Sequence, residues 1–439
     1  MAKYYHAHQV DLEKCRGHMA CMRHCPTQAI RVRGGKATIS EELCVDCGTC
    51  ISVCPSGAIV PIADSVTQTS KFKYKVVVPS PVLYSQFDVS IHPHIIHLAF
   101  KQLGFDEVVD VGTSSAALAR ALVKYLRAYR GRRPLISSHC PSILRLIQVK
   151  YPDLVELVVP LDVPREVAAR EVRKNFPARL GLKPYEIGIT YIAPCPAKIV
   201  SIKQPAEKER SWFDDVVSIK DVYPILLPHV VGIKEKYDQS QVPKDFCFHL
   251  GWAVLGGITQ SVKMENWLAV SGLDHAMKIF DDIENSRLRN IDFVEATSCM
   301  LSCLGGPYNV ENPYVARANS IKQKERYGRP IKLDIEDIER KLEKGYYFFE
   351  NPILPRPTTY FDTDLETSIK RMREKERVYQ KLRQIDCGAC GSPNCMAFAE
   401  DVVRKEAKLT DCIFKLLQRQ SVSSGSFGQS AEHRGRKIR

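Results

Sequence analysis

Residues Ile187-Gly-Ile-Thr-Tyr-Ile-Ala-Pro-Cys-Pro-Ala-Lys198 carry an unbroken apolar run directly into a cysteine. Ile187 to Ala193 reads as a strand, so Cys195 lies just past its carboxyl end. The arrangement recurs twice. Pro134-Leu-Ile-Ser-Ser leads into Cys140, and Ile291 to Glu295 ends four residues before Cys299, with Cys303 close behind. In open α/β sheets ligands bind where loops leave the carboxyl ends of strands. Cys140, Cys195, Cys299 and Cys303 are therefore expected to converge from three distant loops on one buried centre. From spacing alone, four unrelated cysteines acting as small core hydrophobes remains the competing reading.

Outward from this stretch, apolar runs alternate with amphipathic helices, which is an α/β pattern. Further strands are expected at Lys75 to Val78, Glu107 to Val111 and Leu154 to Val159, and helices at Ser114 to Tyr129 and Leu273 to Glu284. The fold class is α/β (α+β overall), with five segments. Residues 1–70 form a small cysteine-rich domain with Ile30 to Arg33 and Ala37 to Ile39 around the Gly34-Gly35 turn. Residues 71–350 form the α/β domain, expected to have two lobes. Residues 351–385 are a linker marked by Pro352, Pro355 and Pro357 and a charged helix. Residues 386–418 form a second cysteine module, in which Met396 to Lys415 reads as one helix delivering the last cysteine. Residues 419–439 are a Ser-, Gly- and Arg-rich tail expected to be disordered.

Eleven more of the sixteen cysteines fall into three local sets, leaving Cys247 as a small buried hydrophobe. Cys44, Cys47, Cys50 and Cys54-Pro55 fit the two-cluster run C-x2-C-x2-C-x3-C-P, whose fourth cysteine serves the other cluster. Cys25 should then join Cys44, Cys47 and Cys50, while Cys54 joins Cys15, His18 and Cys21. His18 stands where a cysteine is expected; a histidine ligand removes negative charge and raises a cluster's potential. Two alternatives stay open: His18 is a surface residue beside a three-cysteine cluster, or His24 ligates instead. Cys387, Cys390, Cys395 and Cys412 form the third set, with structural zinc as the alternative.

At 439 residues and 44% apolar content the chain can hold two to four domains. Closely spaced thiols without an apolar leader point to a reducing, cytoplasmic setting. No apolar run spans a membrane. The net charge of +13 is dispersed and lacks a nucleic-acid-binding motif, so an acidic redox partner is the plainer expectation. His92, His94 and His97, with Pro93 among them, read as a loop or helix start.

Three stretches resemble the signatures of the FeFe-hydrogenases. Ser137-Ser-His-Cys140-Pro141 resembles Thr-Ser-Cys-Cys-Pro. Ala193-Pro-Cys195-Pro-Ala-Lys198 resembles Met-Pro-Cys-x-x-Lys. Glu295-Ala-Thr-Ser-Cys299-Met-Leu-Ser-Cys303-Leu-Gly-Gly306 resembles Glu-x-Met-x-Cys-x-x-x-Cys-x-x-Gly. Gly256-Gly-Ile-Thr259 and Val270 to Lys278 also look like that family, and the resemblance spans roughly residues 1 to 320 in its domain order. The third cysteine set resembles the 4Fe-4S domain of corrinoid iron-sulfur proteins and Rnf-type subunits.

The resemblance implies an H-cluster, a 4Fe-4S cubane on Cys140, Cys195, Cys299 and Cys303 with Cys303 bridging to a di-iron subsite that carries CO, CN and a dithiolate bridge. Three further 4Fe-4S clusters would occupy the local sets. Lys198 matches a lysine that bonds a cyanide, and Ser80 a residue that holds the other. The departures are informative. His139 replaces the cysteine that shuttles protons, Thr113 to Arg133 contains no Asp or Glu for a carboxylate relay, Leu301-Ser302 replaces Gly-Gly, and Ala193 and Thr297 replace methionines. These resemble the family's sensory branch.

The expected function is interconversion of H2 with protons and electrons, slow or H2-sensing, with Cys303, Lys198, His139 and Ser80 at the reacting centre. The alternative is a non-catalytic relative in redox signalling, electron transfer or cluster assembly. Expected partners are H2 and protons, a ferredoxin or another redox or signalling protein, and H-cluster maturation enzymes, without nucleic acid or membrane; a homodimer is compatible.

Overall fold

The computed structural model describes residues 4–238, 240, 242–243, 246, 251–262, 265–329, 331, 333–356 and 364–424 of the chain. Cys247 and Pro357 lie outside the described residues. In the N-terminal domain β1 (His8–Val10) is followed by β2 (Ile30–Arg33), β3 (Lys36–Ile39) and β4 (Ile59–Pro61). β1 pairs antiparallel with β4, and β2 with β3 across Gly34-Gly35. Both glycines have positive φ, which is what a two-residue hairpin turn demands.

The central domain holds two parallel sheets. The first combines β5 (Tyr74–Pro79), β6 (Glu107–Val108), β8 (Ile187–Ala193) and β9 (Asp215–Ser218) in the order β6-β5-β8-β9. The second combines β7 (Leu135–Ile136), β10 (Trp267–Ser271) and β11 (Phe293–Thr297) in the order β10-β11-β7. All seven residues of β8 are buried, as expected for a parallel strand covered on both faces. Gly188 is required within it because the Phe72 ring lies where a Cβ would stand. Helices cover the sheets; Gly112–Ala128 turns Leu118, Ala121, Leu122 and Leu126 inward.

Three sequence expectations need correction. Leu154 to Val159 is not a strand: Pro152–Leu157 forms a 3-10 turn that buries Leu154 and Leu157, three apart on one face, and Val158 alone bridges to Ile136. Pro152 starts that turn because its ring already fixes a helical φ. Met396 to Lys415 is not one helix. Cys395–Val403 ends where the Glu406 and Ala407 amides fold back onto the Asp401 carbonyl, with Lys405 at φ 63°, and a new helix starts after Cys412. That second helix, Ile413–Ser424, runs into the tail expected to be disordered, continuing the apolar spacing of Ile413, Leu416 and Leu417.

Two seams join the parts. Between the N-terminal and central domains, Asp46 is fully buried and accepts from Arg145 at 2.7 Å and His6 at 2.9 Å, while the Tyr308 hydroxyl donates to the Ala7 carbonyl. Between the N-terminal domain and the C-terminal module, Arg31 and Arg33 of β2 converge on buried Asp401. Among the described residues, no helix is long and apolar enough to cross a membrane.

Candidate functional site

Cys140 and Cys195 are built alike. Each leaves a parallel strand, each stands at the N-cap of a helix, and each is followed by a proline at the first helical position. A helix N-terminus presents unpaired N–H groups and the positive end of the helix dipole, which favours a thiolate. Cys299 follows β11, and Cys303 sits in the tight turn Ser302–Gly305. Leu301 and Ser302 hold left-handed φ of 56° and 63°, a backbone region that strains residues other than glycine. Gly305 and Gly306 admit no side chain, since a Cβ would strike the Met300 and Pro194 carbonyl oxygens.

The four sulfurs meet. Ser298 Oγ lies 3.5 Å from Cys140 Sγ and 3.6 Å from Cys299 Sγ, and Lys198 Nζ donates to Cys303 Sγ at 3.1 Å. Burial pushes the Cys195 thiol up to about 12, against the nearby Lys198 and reinforced by Cys303 and Cys140. Burial likewise raises Cys299 well above an ordinary thiol, with Cys195, Cys140 and Cys303 adding to it. Thiols this reluctant to ionise lose their protons only to a strongly bound cationic centre, and such binding is coupled to proton release. The four-thiol set therefore fits an iron-sulfur cubane.

Beside Cys303 lies a void bordered by Pro81, Val111, His139, Arg165, Tyr191, Lys198 and Trp252. Lys198 is buried; desolvation alone would lower its pKa, but the Cys303 and Cys195 thiols and Tyr191 raise it, so the ammonium stays charged. Arg165 is also buried, donating from Nη2 to Ser201 Oγ at 2.8 Å while its Nε has no partner. Among the described residues neither cation makes a salt bridge. His139 packs edge-on against Trp252 with Nε2 3.9 Å from Cys303 Sγ and Nδ1 unpartnered. Burial, then Lys198 and Arg165, push its pKa well down, so the imidazole is neutral. Ser80 is fully buried with a free hydroxyl, but its amide is already donated to the Ile192 carbonyl. Two buried cations without carboxylate partners, with the unpartnered His139 Nδ1 and Arg165 Nε on residues that border the same hollow, fit an anionic, hydrogen-bond-accepting group next to Cys303.

Glu295 braces this wall. Its buried carboxylate accepts from the amides of Gly256, Ile258 and Thr259 at 2.9–3.1 Å, tying β11 to the Gly256-Gly257-Ile258-Thr259 segment and the neighbouring Trp252. Arg165, Tyr191 and Trp252 were not legible as site residues. Arg165 opens the helix Pro164–Leu180, a charge-rich stretch whose local pattern gives no sign of burial.

The local sets pair across their motifs. Cys50 is influenced by Cys47 and Cys25, and Cys21 by Cys54 and Cys15. The two halves match: Ala29 N donates to Cys25 Sγ at 3.2 Å and Ala58 N to Cys54 Sγ at 3.3 Å, with Thr27 and Ser56 two residues past each sulfur. Cys25, Cys44, Cys47 and Cys50 border one hollow, and burial drives the Cys47 thiol up to about 11. His18 is exposed, and among the described residues no hydrogen bond joins it to Cys15, Cys21 or Cys54. His24 turns Nδ1 onto the Ala20 carbonyl at 2.9 Å. Cys387, Cys390, Cys395 and Cys412 surround a single hollow, with Asp386 Oδ1 accepting from the Cys395 amide at 2.7 Å. His92 caps the helix Pro93–Gln102, as a helix start requires.

Three parts of the chain are similar to known proteins. Residues 73–263 match the family model of the iron only hydrogenase large subunit, C-terminal domain; residues 10–58 match the 4Fe-4S dicluster domain, and residues 382–414 an Fe-S cluster model. An NADP-reducing hydrogenase subunit of Solidesulfovibrio fructosivorans is 20% identical over 44% of this chain and 39% of its own length. An iron hydrogenase of Clostridium pasteurianum is 23% identical over 49% of this chain and 38% of its own. The chain thus spans about two fifths of these curated relatives. A FeFe-hydrogenase from Chlamydomonas reinhardtii superposes with a TM-score of 0.49 at 15% identity, covering 67% of this chain and 98% of that one.

Proposed function

Since the chain belongs, through its central domain, to the iron-only hydrogenase large-subunit family, we propose that it is an oxidoreductase that interconverts H2 with protons and electrons at an H-cluster, slowly or as an H2 sensor. The observation that carries this is the pairing of two features at one place: four thiols from distant loops, and beside Cys303 a hollow edged by Lys198 and Arg165 without carboxylate partners. Cys140, Cys195, Cys299 and Cys303 would hold the cubane, with the di-iron subsite on Cys303.

When bound, that group supplies a Lewis-acidic metal and a pendant base for splitting H2. The protein's part is binding, charge and proton supply. Lys198 donates a charge-assisted bond to an anionic acceptor at the edge of the hollow. Trp252, Pro81 and Val111 keep water out, which strengthens every electrostatic contact inside. His139 is neutral and has one free nitrogen, so it can accept a proton at Nδ1 or relay one from Nε2. The helix Gly112–Ala128 offers no carboxylate to continue such a route, which supports slow turnover.

That same gap favours a second reading, in which the protein signals or transfers electrons without net H2 turnover. Infrared spectroscopy of protein matured with the H-cluster assembly enzymes decides on the centre: bound carbonyl and cyanide bands are expected, and their absence from a fully iron-loaded sample would reject it. His139→Cys then decides on the proton route, because a relay residue changes H2 evolution when replaced and a bystander leaves it unmoved.

A further inference from the structure

We infer that the C-terminal cysteine module is the outer end of a single line of iron-sulfur centres running through the N-terminal domain, where a small acidic one-electron carrier docks, and not an independent second port. This rests on the reading that the three local cysteine sets hold 4Fe-4S clusters.

The module is fastened to the N-terminal domain at the sheet edge next to its outer cysteine set. Arg31 grips Asp401 with two parallel bonds of 2.7 and 2.9 Å; Arg33 adds a bond to the same carboxylate and one to the Glu406 carbonyl. Ser392 Oγ donates to Asp401 at 2.7 Å, so the carboxylate is fully engaged and nearly without exposure. Between the two arginines the Val32 amide donates to the Gly391 carbonyl at 2.9 Å. Gly391 has φ +82°, and a Cβ there would lie 2.1 Å from the Val32 carbonyl oxygen. Backbone thus meets backbone with no room for a side chain. A buried carboxylate gripped by two partly buried arginines fixes the orientation of the two parts.

That geometry is one side chain thick. Gly388, between Cys387 and Cys390, comes within contact of Met22 Cε, judged from where its Cβ would stand, 3.3 Å away. Met22 is fully buried in the same apolar cluster as Cys15 and Cys21. Further in, Cys21 and Cys50 pack in that one buried apolar cluster. At the inner end Gly48, inside the Cys47–Cys50 loop, leaves no space for a Cβ against Pro307 and Pro196, which flank the ligand loops of Cys303 and Cys195. Cys47 and Cys140 pack on one apolar cluster. The sets therefore follow one another in contact: Cys387 set, Cys15 set, Cys44 set, Cys140 set.

The outer end is open. Cys387 is exposed, unlike the other fourteen described cysteines, and Ile385, Ile413 and Leu417 stand out around it at 55%, 42% and 53% exposure. Arg383 borders the hollow of the four cysteines beside Ile385, and Lys381 is exposed two residues before it. An apolar patch with a basic rim over a redox centre suits a small acidic carrier, because the rim steers encounter and the patch fixes the pose. Each encounter oxidises the carrier by one electron and reduces the Cys387 cluster by one; two electrons delivered inward combine with two protons to give one H2.

Full-length protein loaded with its 4Fe-4S clusters but lacking the di-iron subsite is the sample to test. In the fully reduced state, electron paramagnetic resonance is expected to show the C-terminal cluster spin-coupled to the Cys15 cluster, with the coupling lost in Gly391→Val while iron content is kept. In Cys395→Ser, reduction of the remaining clusters by an acidic reduced ferredoxin should slow roughly tenfold or more, about 1.4 kcal/mol on the barrier, while reduction by dithionite is unchanged. An uncoupled C-terminal cluster in the wild type, or an unaltered ferredoxin rate in Cys395→Ser, would overturn the relay. Absence of iron at the C-terminal set would instead overturn the cluster reading on which it rests. If Gly391→Val loses its cluster, the Cys395→Ser rates decide alone.

Discussion

Asp46→Asn should weaken the seam between the N-terminal and central domains. The Asp46 carboxylate has no exposure and accepts from Arg145 Nη1 at 2.7 Å, from His6 Nδ1 at 2.9 Å and from the Ala7 amide at 3.3 Å, with His8 Nδ1 at 3.4 Å. Arg145 is itself almost completely buried. Removing one partner of such a pair strands the other charge, which costs about 3 to 5 kcal/mol. Asparagine can still accept from the Ala7 amide and one ring, so the lower end of that range, about 3 kcal/mol, is expected. Burial by itself would raise the Asp46 pKa, but hydrogen bonds from His6 and His8 and the Arg145 guanidinium outweigh it and hold the carboxyl far below the usual range. A depressed carboxylate contributes stability that is full above the unfolded pKa near 4 and is lost as pH falls below it. The deficit of Asp46→Asn should therefore be constant from pH 6 to 8 and shrink under acid. Guanidinium unfolding, followed by visible cluster absorbance and far-ultraviolet dichroism, measures it. A double-mutant cycle with Arg145→Met isolates the pair, since both charges are then gone and most of the loss should return. A single-mutant loss under about 1 kcal/mol, or no coupling in the cycle, would refute the view that this pair fixes the seam.

Other outcomes follow from the site. Lys198→Met removes a charge-assisted donor of about 1.5–3 kcal/mol, so uptake of the di-iron subsite, read from carbonyl and cyanide infrared intensity, should fall by at least roughly tenfold; unchanged intensity and frequencies would place the lysine outside the site. Ser302→Gly relieves a left-handed φ of 63° and deletes a buried hydroxyl without a partner, so it should stabilise the apoprotein by about 1 kcal/mol in thermal unfolding. Asp110 is raised to about 7 by burial, against the Gly112 amide it accepts from. A raised carboxyl binds its proton more tightly folded than unfolded, so stability declines as pH climbs from about 4 to 7. Asp110→Asn should flatten that decline and gain roughly 2–4 kcal/mol at pH 8; parallel pH curves for variant and wild type would contradict this.

What the sequence made legible follows from how local the information was. β8 could be read because Ile187 to Ala193 is apolar without interruption, and the cysteine sets because thiol spacing is itself the signal. β9 and β10 were missed: Asp215–Ser218 is a four-residue edge strand, and Trp267–Ser271 is only partly buried, so neither shows a clean period. Cys412 borders the same hollow as Cys387, Cys390 and Cys395 although the helix expected to deliver it is broken, because the hollow is closed by two short helices and not one. The wall of the central hollow was illegible for a different reason. Arg165, Tyr191 and Trp252 come from a helix start, a strand and a short turn, and only packing makes them neighbours.

The two kinds of cysteine site differ most in charge. Around the N-terminal sulfurs the donors are the Ala29, Ala37 and Ala58 amides and the Thr49 and Ser56 hydroxyls, with the His8 ring 3.9 Å from Cys44 and, among the described residues, no lysine or arginine donor. The central site adds two buried cations, and desolvating an ion costs several kcal/mol unless something compensates it. Lys198 has Cys303 Sγ at 3.1 Å, so a cubane thiolate accounts for that charge. Arg165, which borders the hollow, has a neutral serine on one nitrogen, no hydrogen-bond partner on Nε and only the Tyr191 ring beside its guanidinium, 5.9 Å away. A cubane like those of the N-terminal domain leaves this second cation uncompensated. A centre with a further anionic part beyond Cys303, as a di-iron unit bearing cyanide would be, would compensate that cation.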